Sequence, residues 1–315
     1  MKQFKLAALA AATFAIGLSA AGNAQAAAYS FSQNSLLDGF FISNDARNVF
    51  GTPVNTSADS ATLSGSPSAG FSAVGTGLRD PAAANLGTAV GTANNTFTAI
   101  GSLAAGGMFS RGDAAITQEQ SGIGAGQGIQ SANVAEARID TSGSAEARGN
   151  NSSGTFYDVD FVVAAAGTAT FQFTFDPILS VGLSGDVLPG SLAQAILTAS
   201  LTITNNATGE TVVSWAPNGT GSVGGSIGGT VAAGEDPYSL NKTLSQFLPG
   251  SQLINDPIGL FRMTTGILPV GTYNVTAEQS ERVSLTTQVP EPATLALLGL
   301  GMVGMGFVSR RRKNV

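Results

Sequence analysis

A strict two-residue alternation of apolar and polar side chains runs through the second half of the chain. It covers residues 168–176 and returns at residues 197–204, where every polar position is Thr or Ser. Because successive side chains of a strand point to opposite faces, this period predicts strands with one buried face and one solvated face. The apolar positions are Ala169, Phe171, Phe173, Phe175, Leu197, Ala199, Leu201 and Ile203.

Turn-forming residues separate the alternating segments. Residues 205–209 are Asn-Asn-Ala-Thr-Gly, and residues 211–215 then resume a strand pattern, so we predict a β-hairpin there. Short strands punctuated by Gly and Pro are typical of an antiparallel β-sandwich, which we predict for residues 135–288. Further strand candidates are residues 156–163, 238–248, 258–265, 273–277 and 283–287.

Residues 27–134 are rich in Gly, Ala, Ser and Thr and contain few large apolar side chains. Small side chains bury little area, so we expect either β structure that packs on the second half or a loosely ordered region. Ala135-Glu136-Ala137-Arg138 recurs as Ala145-Glu146-Ala147-Arg148. Two copies are too few for a solenoid, and they predict a strand, a turn and a similar strand with Glu and Arg paired on one face.

The chain has no Cys and no His among its 315 residues. This excludes a Cys nucleophile, a Ser-His-Asp triad, a disulfide, a His or Cys haem ligand and an ordinary zinc site. Charge is also uneven, because residues 27–289 contain 8 basic and 19 acidic residues and carry a net charge of −11. A body this acidic is not expected to bind nucleic acid.

Residues 1–26 have the three parts of a secretory signal peptide. Lys2 and Lys5 precede an uncharged apolar run at residues 6–18, which is too short to span a bilayer comfortably. Small residues follow, and Ala24 and Ala26 fit the specificity of signal peptidase for cleavage before Ala27. We therefore expect export through the general secretion machinery, into a compartment where the chain cannot rely on disulfides.

The C-terminal segment, residues 289–315, has an order of its own. Val289-Pro290-Glu291-Pro292 is followed by residues 293–308, which contain no charge, and then by Arg310, Arg311 and Arg312. The prolines end any preceding strand and suit the entry of a helix. An apolar helix of this length measures about 24 Å, and the basic cluster would stay on the cytoplasmic side. We therefore predict a short C-terminal membrane helix that holds the body outside the inner membrane.

This arrangement at residues 289–313 resembles the PEP-CTERM sorting signal of exported proteins from Gram-negative bacteria that make exopolysaccharide. The resemblance implies recognition by exosortase, a membrane enzyme thought to process the chain near the Pro-Glu-Pro sequence. It also implies transient anchoring in the inner membrane, followed by release to the cell surface or the extracellular matrix. An ordinary tail anchor is the alternative, since it obeys the same topology rule. The resemblance covers only the C-terminal segment and does not describe the body.

Two pairs of carboxylates are candidate calcium ligands. Asp158 and Asp160 lie two residues apart on a predicted strand and would point to the same side. Glu235 and Asp236 are adjacent in a loop that follows a Gly-rich stretch. A solvated strand face and an Asp-Pro turn are the respective alternatives. Apart from calcium, the sequence suggests no cofactor.

The function that we expect is structural or adhesive, without catalysis, in association with exopolysaccharide or biofilm. A carbohydrate-binding module is the main alternative, and an ice-binding surface or a carboxylate glycosidase is a weaker one. Sugar-binding surfaces commonly expose aromatic rings, yet the chain has a single Trp and four Tyr. The Thr and Ser positions of residues 198–204 would form a ladder of hydroxyl groups, although Thr is also an ordinary strand former.

Overall fold

The computed structural model describes residues 25–36, 41–42, 48–50, 54–63, 69–74, 82–86, 108–119, 128–142, 146–185, 187–288 and 302. Within these residues the fold is mainly β and consists of two antiparallel sheets, as the sequence predicted. The strands are Gln25–Leu36 (β1), Phe41–Ile42 (β2), Asn48–Phe50 (β3), Val54–Leu63 (β4), Ala69–Val74 (β5), Ala82–Leu86 (β6), Met108–Glu119 (β7), Gly128–Ser142 (β8), Glu146–Val163 (β9), Thr170–Gly185 (β10), Leu192–Asn205 (β11), Thr211–Trp215 (β12), Gly229–Thr230 (β13), Lys242–Gln246 (β14), Gly250–Asn255 (β15), Gly259–Thr265 (β16) and Gly271–Gln288 (β17).

The two sheets differ in strand order. The first has the order β13-β16-β10-β1-β8-β7-β6, with β15 and β2 also paired to β10. The second has the order β12-β11-β17-β9-β4-β5, with β14 paired to β11 and β3 paired to β9. The two sheets pack face to face, and hydrogen bonds join them. The hydroxyl groups of Ser30 and Ser32 on β1 donate to the backbone carbonyls of Gln194 and Ile196 on β11. The result is an antiparallel β-sandwich.

The strands predicted from alternation are present with the expected faces. In the predicted segments of β10 and β11, residues 170–176 and 197–204, the apolar side chains are buried and the polar ones are partly or fully exposed. The predicted hairpin is confirmed, since β11 pairs with β12 and the register shifts between Ile203 and Thr204. The two segments predicted at 273–277 and 283–287 belong to one long strand, β17.

The N-terminal region contributes central strands to the same sandwich. β1 lies between β10 and β8, where Phe31 is opposite Ser180 on one side and Glu136 on the other. In the second sheet, β4 pairs with β9 along most of its length. The domain boundary that we placed between residues 134 and 135 falls inside β8.

The two Ala-Glu-Ala-Arg copies lie on two successive strands joined by a short connection, as predicted, but these strands belong to different sheets. The first copy lies in β8, which pairs with β1 and β7 of the first sheet. The second copy enters β9, which pairs with β17 and β4 of the second sheet. The chain therefore passes from one sheet to the other between residues 142 and 146. Glu136 and Arg138 do share a face, as period two requires, and both are buried.

The interior contains two main apolar clusters of different chemistry. One is aromatic, with Phe173 stacked on Phe261 at 5.6 Å and tilted against Trp215 at 5.1 Å between ring centroids. The other is built from Ala, Val, Leu and Ile, including Leu179 of the first sheet and Leu197 of the second. Both clusters draw on both sheets, so burial of apolar surface holds the sandwich together.

The strand register defines two ends of the sandwich. In the first sheet Ala26 pairs with Gly185 at the end of β10, and in the second Gln288 pairs with Glu146 at the start of β9. β10 continues into β11 after a short connection, so the sheets share this end. We call it the terminal pole, because β1 starts there and β17 ends there. The other end, where residues 266–270 join β16 to β17, is the distal pole.

Among the described residues, no helix combines the length and the apolar character needed to cross a bilayer. Residues 1–24 and residues 293–301 and 303–308 of the predicted membrane segment lie outside the described residues.

Candidate functional site

Asp158 and Asp160 lie together on β9 and point away from the apolar core, as predicted. The side-chain amide of Asn274, on the neighbouring strand β17, donates to Oδ1 of Asp158 at 2.7 Å and to Oδ1 of Asp160 at 3.1 Å. Asn206, which follows β11, donates to the same Asp160 oxygen at 3.0 Å. The hydrogen bonds from Asn206 and Asn274 lower the pKa of Asp160. Amide donors from β17 and from the turn after β11 therefore favour the ionised form of Asp160.

These carboxylates belong to a broad polar face on the outside of the second sheet. The register places Thr202 opposite Thr276, which is in turn opposite Asp158. Hydroxyl and amide groups also hydrogen-bond along this face, since Thr276 Oγ1 donates to Asn274 Oδ1 at 3.1 Å. We call this surface the hydroxyl face. It comprises Thr198, Ser200, Thr202 and Thr204 of β11, Asn274, Thr276 and Ser280 of β17, and Asp158 and Asp160 of β9.

The Asp236 side chain is buried and binds backbone groups of the protein rather than facing solvent. It is 7% exposed, and its carboxylate accepts backbone N–H groups of Asn218, Gly219 and Gly221 at 3.4, 3.2 and 3.0 Å. Three backbone donors converging on one carboxylate fix the Gly-rich loop to the segment before β14. Charge-assisted bonds of this type are stronger than neutral ones, so Asp236 organises the loop.

Glu235 points to a different partner from its neighbour. Its carboxylate forms an ion pair with Arg262 on β16 at 2.8 Å, and the same guanidinium donates to Gln172 on β10. The sequence placed Glu235 beside Asp236 as a pair, but the structure directs the two side chains to separate groups. Over the described ranges, no set of three or more Asp and Glu side chains is close enough to hold a metal ion together. Calcium binding at Asp158 and Asp160 or at Glu235 and Asp236 stays a prediction.

A buried polar cluster between the sheets was not predicted from the sequence. Ser131 of β8 donates to Gln279 Oε1 of β17 at 2.9 Å, and Gln279 Nε2 donates to the carbonyl of Asn34 at 3.1 Å. Glu281 is fully buried next to Gln279, and burial raises its pKa well above the usual range. The available signal was that Gln279 and Glu281 occupy the inward positions of β17, in phase with Val275.

Trp215, Tyr273 and Phe161 point into the core and do not line the hydroxyl face. The single Trp, Trp215, is fully buried, and so is Tyr273. Phe161 stacks on Tyr273 at 5.6 Å within the core. The hydroxyl face therefore presents polar groups for hydrogen bonding without a ring for stacking from any of these three residues.

The sorting and cleavage residues lie at or beyond the edge of the described chain. Ala26 and Ala27 are in β1, whereas Ala24 lies outside the described residues. The candidate sorting residues also lie outside them. They are Val289, Pro290, Glu291, Pro292, Arg310, Arg311 and Arg312.

Comparison with known protein families gives one match. Residues 288–313 match the family model of the PEP-CTERM protein-sorting motif, in agreement with the resemblance found from the sequence. Comparisons of the chain with curated proteins and with solved structures find no match. The motif marks an exported protein that exosortase sorts and that is transiently anchored in the membrane through its C-terminal region.

Proposed function

We propose that the protein is a structural or adhesive component of an exopolysaccharide-rich surface or matrix, and that it has no catalytic activity. The hydroxyl face carries this proposal, because it offers a broad row of hydroxyl and amide groups on the outer, partly exposed side of the second sheet. Polysaccharide chains present hydroxyl groups in rows, and such groups exchange hydrogen bonds with Thr, Asn and Asp side chains. The bacterium would be Gram-negative, and the final location would be its cell surface or extracellular matrix.

Weak, repeated contacts suit a matrix protein better than one deep site does. Each neutral hydrogen bond to a sugar is worth about 0.5–1.5 kcal/mol net, because water is displaced from both partners. Many contacts along one polymer nevertheless add up through effective concentration. A carbohydrate-binding module with an aromatic platform is the second candidate, and the burial of Trp215 and Tyr273 argues against it.

The bonding of the carboxylates argues against a glycosidase. A retaining or inverting enzyme needs one carboxyl group protonated as the general acid and one ionised, flanking a substrate cleft. Asp160 has a lowered pKa, and Asn274 donates to both Asp158 and Asp160. Glu281 has the raised pKa of a general acid, but it is fully buried between the sheets.

Binding to exopolysaccharide tests the proposal directly. The exported protein is sedimented with polysaccharide purified from the same strain, alongside a variant that carries Thr198→Val and Thr202→Val. Valine keeps the shape and strand preference of threonine and replaces the hydroxyl group with a methyl group. We expect the bound fraction to fall several-fold in this variant.

The matched control carries Thr170→Val and Thr174→Val, which lie on the outer side of β10 in the first sheet, away from the hydroxyl face. Equal binding by wild type and both variants would contradict a role for the hydroxyl face. A cell that lacks the protein and retains all of its surface polysaccharide and adhesion would contradict the matrix function itself. Thermal hysteresis of ice growth would distinguish an ice-binding protein from a matrix protein, and the proposal predicts none.

A further inference from the structure

We propose that an apolar tip at the terminal pole, formed by Leu188, Phe247 and Leu248, contacts the membrane lipid while the C-terminal segment is anchored. This apolar tip goes beyond the polysaccharide proposal and rests only on membrane anchoring. It would orient the sandwich with the terminal pole toward the bilayer and the distal pole away from it.

The position of the apolar tip follows from the strand register. The connection from β10 to β11 contains Leu188, and it lies at the terminal pole because Gly185 pairs with Ala26. The connection from β14 to β15 contains Phe247 and Leu248. It lies beside the first one, since β14 pairs with β11 through Gln246 and Ala193 and β15 pairs with β10. Both connections therefore cross from one sheet to the other at the same end.

The exposure of the apolar tip is large for such side chains. Phe247 is 61% exposed, Leu248 is 72% exposed and Leu188 is 38% exposed. Single exposed apolar residues are common, but adjacent large ones at the end of a domain indicate a contact surface. Aromatic and Leu side chains are also those that enter the interface of a bilayer.

The connection that carries Phe247 and Leu248 is held by its own hydrogen bonds. Gln246 Nε2 donates to the carbonyl of Leu248 at 2.6 Å, and Gln252 Nε2 donates to Gln246 Oε1 at 2.6 Å. Pro249 further restricts the backbone. The sequence therefore presents these two side chains outward in a fixed shape, which reduces the ordering cost of inserting them into lipid.

The length of chain beyond β17 brings the bilayer to the same pole. β17 ends at Gln288, opposite Glu146 at the terminal pole. Only residues 289–292 separate it from the uncharged segment 293–308, and four extended residues span about 14 Å at most. The polar interface of a bilayer is itself several ångströms deep on each side. An apolar tip at this pole is therefore within reach of the interface.

Site-directed labelling tests the apolar tip in the full chain. Because the chain contains no Cys, Leu248→Cys gives a single site for an environment-sensitive fluorophore. The protein, with its C-terminal segment retained, is placed in phosphatidylcholine and phosphatidylglycerol vesicles that contain quencher-bearing lipids. Val270→Cys is the matched control, since Val270 is 65% exposed at the distal pole. Leu298→Cys reports whether the segment itself is in the bilayer.

We expect lipid quenching of the labels at residues 248 and 298 and none at residue 270. Quenching at 298 without quenching at 248 would overturn the apolar tip and leave anchoring intact. Absence of quenching at 298 would overturn both. The label at residue 248 could instead be equally shielded from solvent in samples without lipid, and labels on two chains could lie close together. Those two results together would assign the surface to a second copy of the chain.

A second pair of variants separates lipid contact from folding. With the label moved to Leu188→Cys, Phe247→Ser and Leu248→Ser together should reduce quenching several-fold. Ile267→Ser and Val270→Ser at the distal pole should leave it unchanged. Equal quenching in both double variants would contradict the proposal. Polysaccharide binding is measured in parallel, so failure of the hydroxyl face and failure of the apolar tip are distinguishable.

Discussion

The hydroxyl group of Ser131 donates to Gln279 Oε1 at 2.9 Å and so joins the two sheets inside the sandwich. This bond fixes the Gln279 amide, whose nitrogen faces Glu281 Oε1 at 3.5 Å. Glu281 lies beside this amide and is fully buried. A carboxyl group in such a place favours its neutral form, because burial penalises the charge.

The first prediction concerns the pH dependence that Glu281 creates. Burial raises its pKa in the folded state above the unfolded value, so the folded state binds more protons between the two values. The stability from this group is fully present below the unfolded pKa and is lost as the pH rises toward the folded pKa. Glu281→Gln should remove that loss, so the variant gains stability relative to wild type as the pH rises.

Urea unfolding from about pH 4 to about pH 9 measures this difference. Contributions from other carboxylates occur in both proteins and cancel. Glu278→Gln, on the exposed side of β17, is the control and should show no such trend. A difference between Glu281→Gln and wild type that stays constant over the range would contradict the prediction.

The second prediction concerns the aromatic cluster. The Phe261 ring is buried and lies 5.6 Å from the Phe173 ring and 5.2 Å from the Tyr238 ring. Phe261→Ala should lower the free energy of unfolding by about 3–5 kcal/mol, because the cavity is enclosed by other rings. Phe247→Ala, at an exposed site, should change it in solution by less than about 0.5 kcal/mol. Denaturant unfolding of both variants is the measurement, and equal effects would argue against this core.

The third prediction uses two glycines with a positive φ. Gly225 has φ of +102°, and a Cβ there would lie 2.5 Å from the carbonyl oxygen of Val212. Gly209 has φ of +71° with open space around it. Gly209→Ala should cost about 1–2 kcal/mol of backbone strain. Gly225→Ala should cost about 3 kcal/mol, because overpacking against β12 is added. A smaller loss in Gly225→Ala than in Gly209→Ala would show that this loop does not pack on β12.

Local patterns predicted the strands well because period two is a local property. The faces of β10 and β11, the hairpin with β12 and the outward direction of Asp158 and Asp160 all follow from it. The pairing of β1 with β10 joins residues such as Phe31 and Ser180, and nothing in the local pattern specifies so distant a partner.

In the candidate site too, local features could be predicted and long-range partners could not. The side on which Asp160 lies could be predicted, but its amide donors could not, because Asn274 lies on a distant strand and Asn206 lies in the turn after β11. Gln279 and Glu281 were missed because they break the alternation rule, placing polar groups at inward positions.

The fourth prediction concerns processing at both ends. Intact-mass analysis of the exported protein should give a chain that begins at or near Ala27 and lacks the residues after Pro292. A recovered chain that retains Arg310, in a strain with exosortase, would reject the sorting claim. β1 also includes Ala26, paired with Gly185, so signal peptidase should cleave before the sheet closes. Folded precursor should therefore be cleaved more slowly than unfolded precursor, and equal rates would count against this order of events.

The last prediction concerns calcium at Asp158 and Asp160. The amides of Asn206 and Asn274 already donate to these carboxylates, and a bound cation would have to displace them. We therefore expect weak binding, with a dissociation constant of about 10⁻⁴ to 10⁻³ M as in extracellular sites.

Calcium at ten times that constant would stabilise the folded body by about 1.4 kcal/mol and raise the melting temperature by a few degrees. Asp158→Asn with Asp160→Asn should abolish the shift, whereas Asp176→Asn with Glu210→Gln removes the same charge elsewhere and should keep it. Magnesium or sodium at equal ionic strength should give a smaller shift, because screening alone is not selective for calcium. An equal shift with all three cations, or an unchanged calcium response in the Asp158 and Asp160 variant, would show that these carboxylates bind no calcium and serve only as acceptors for the asparagine amides.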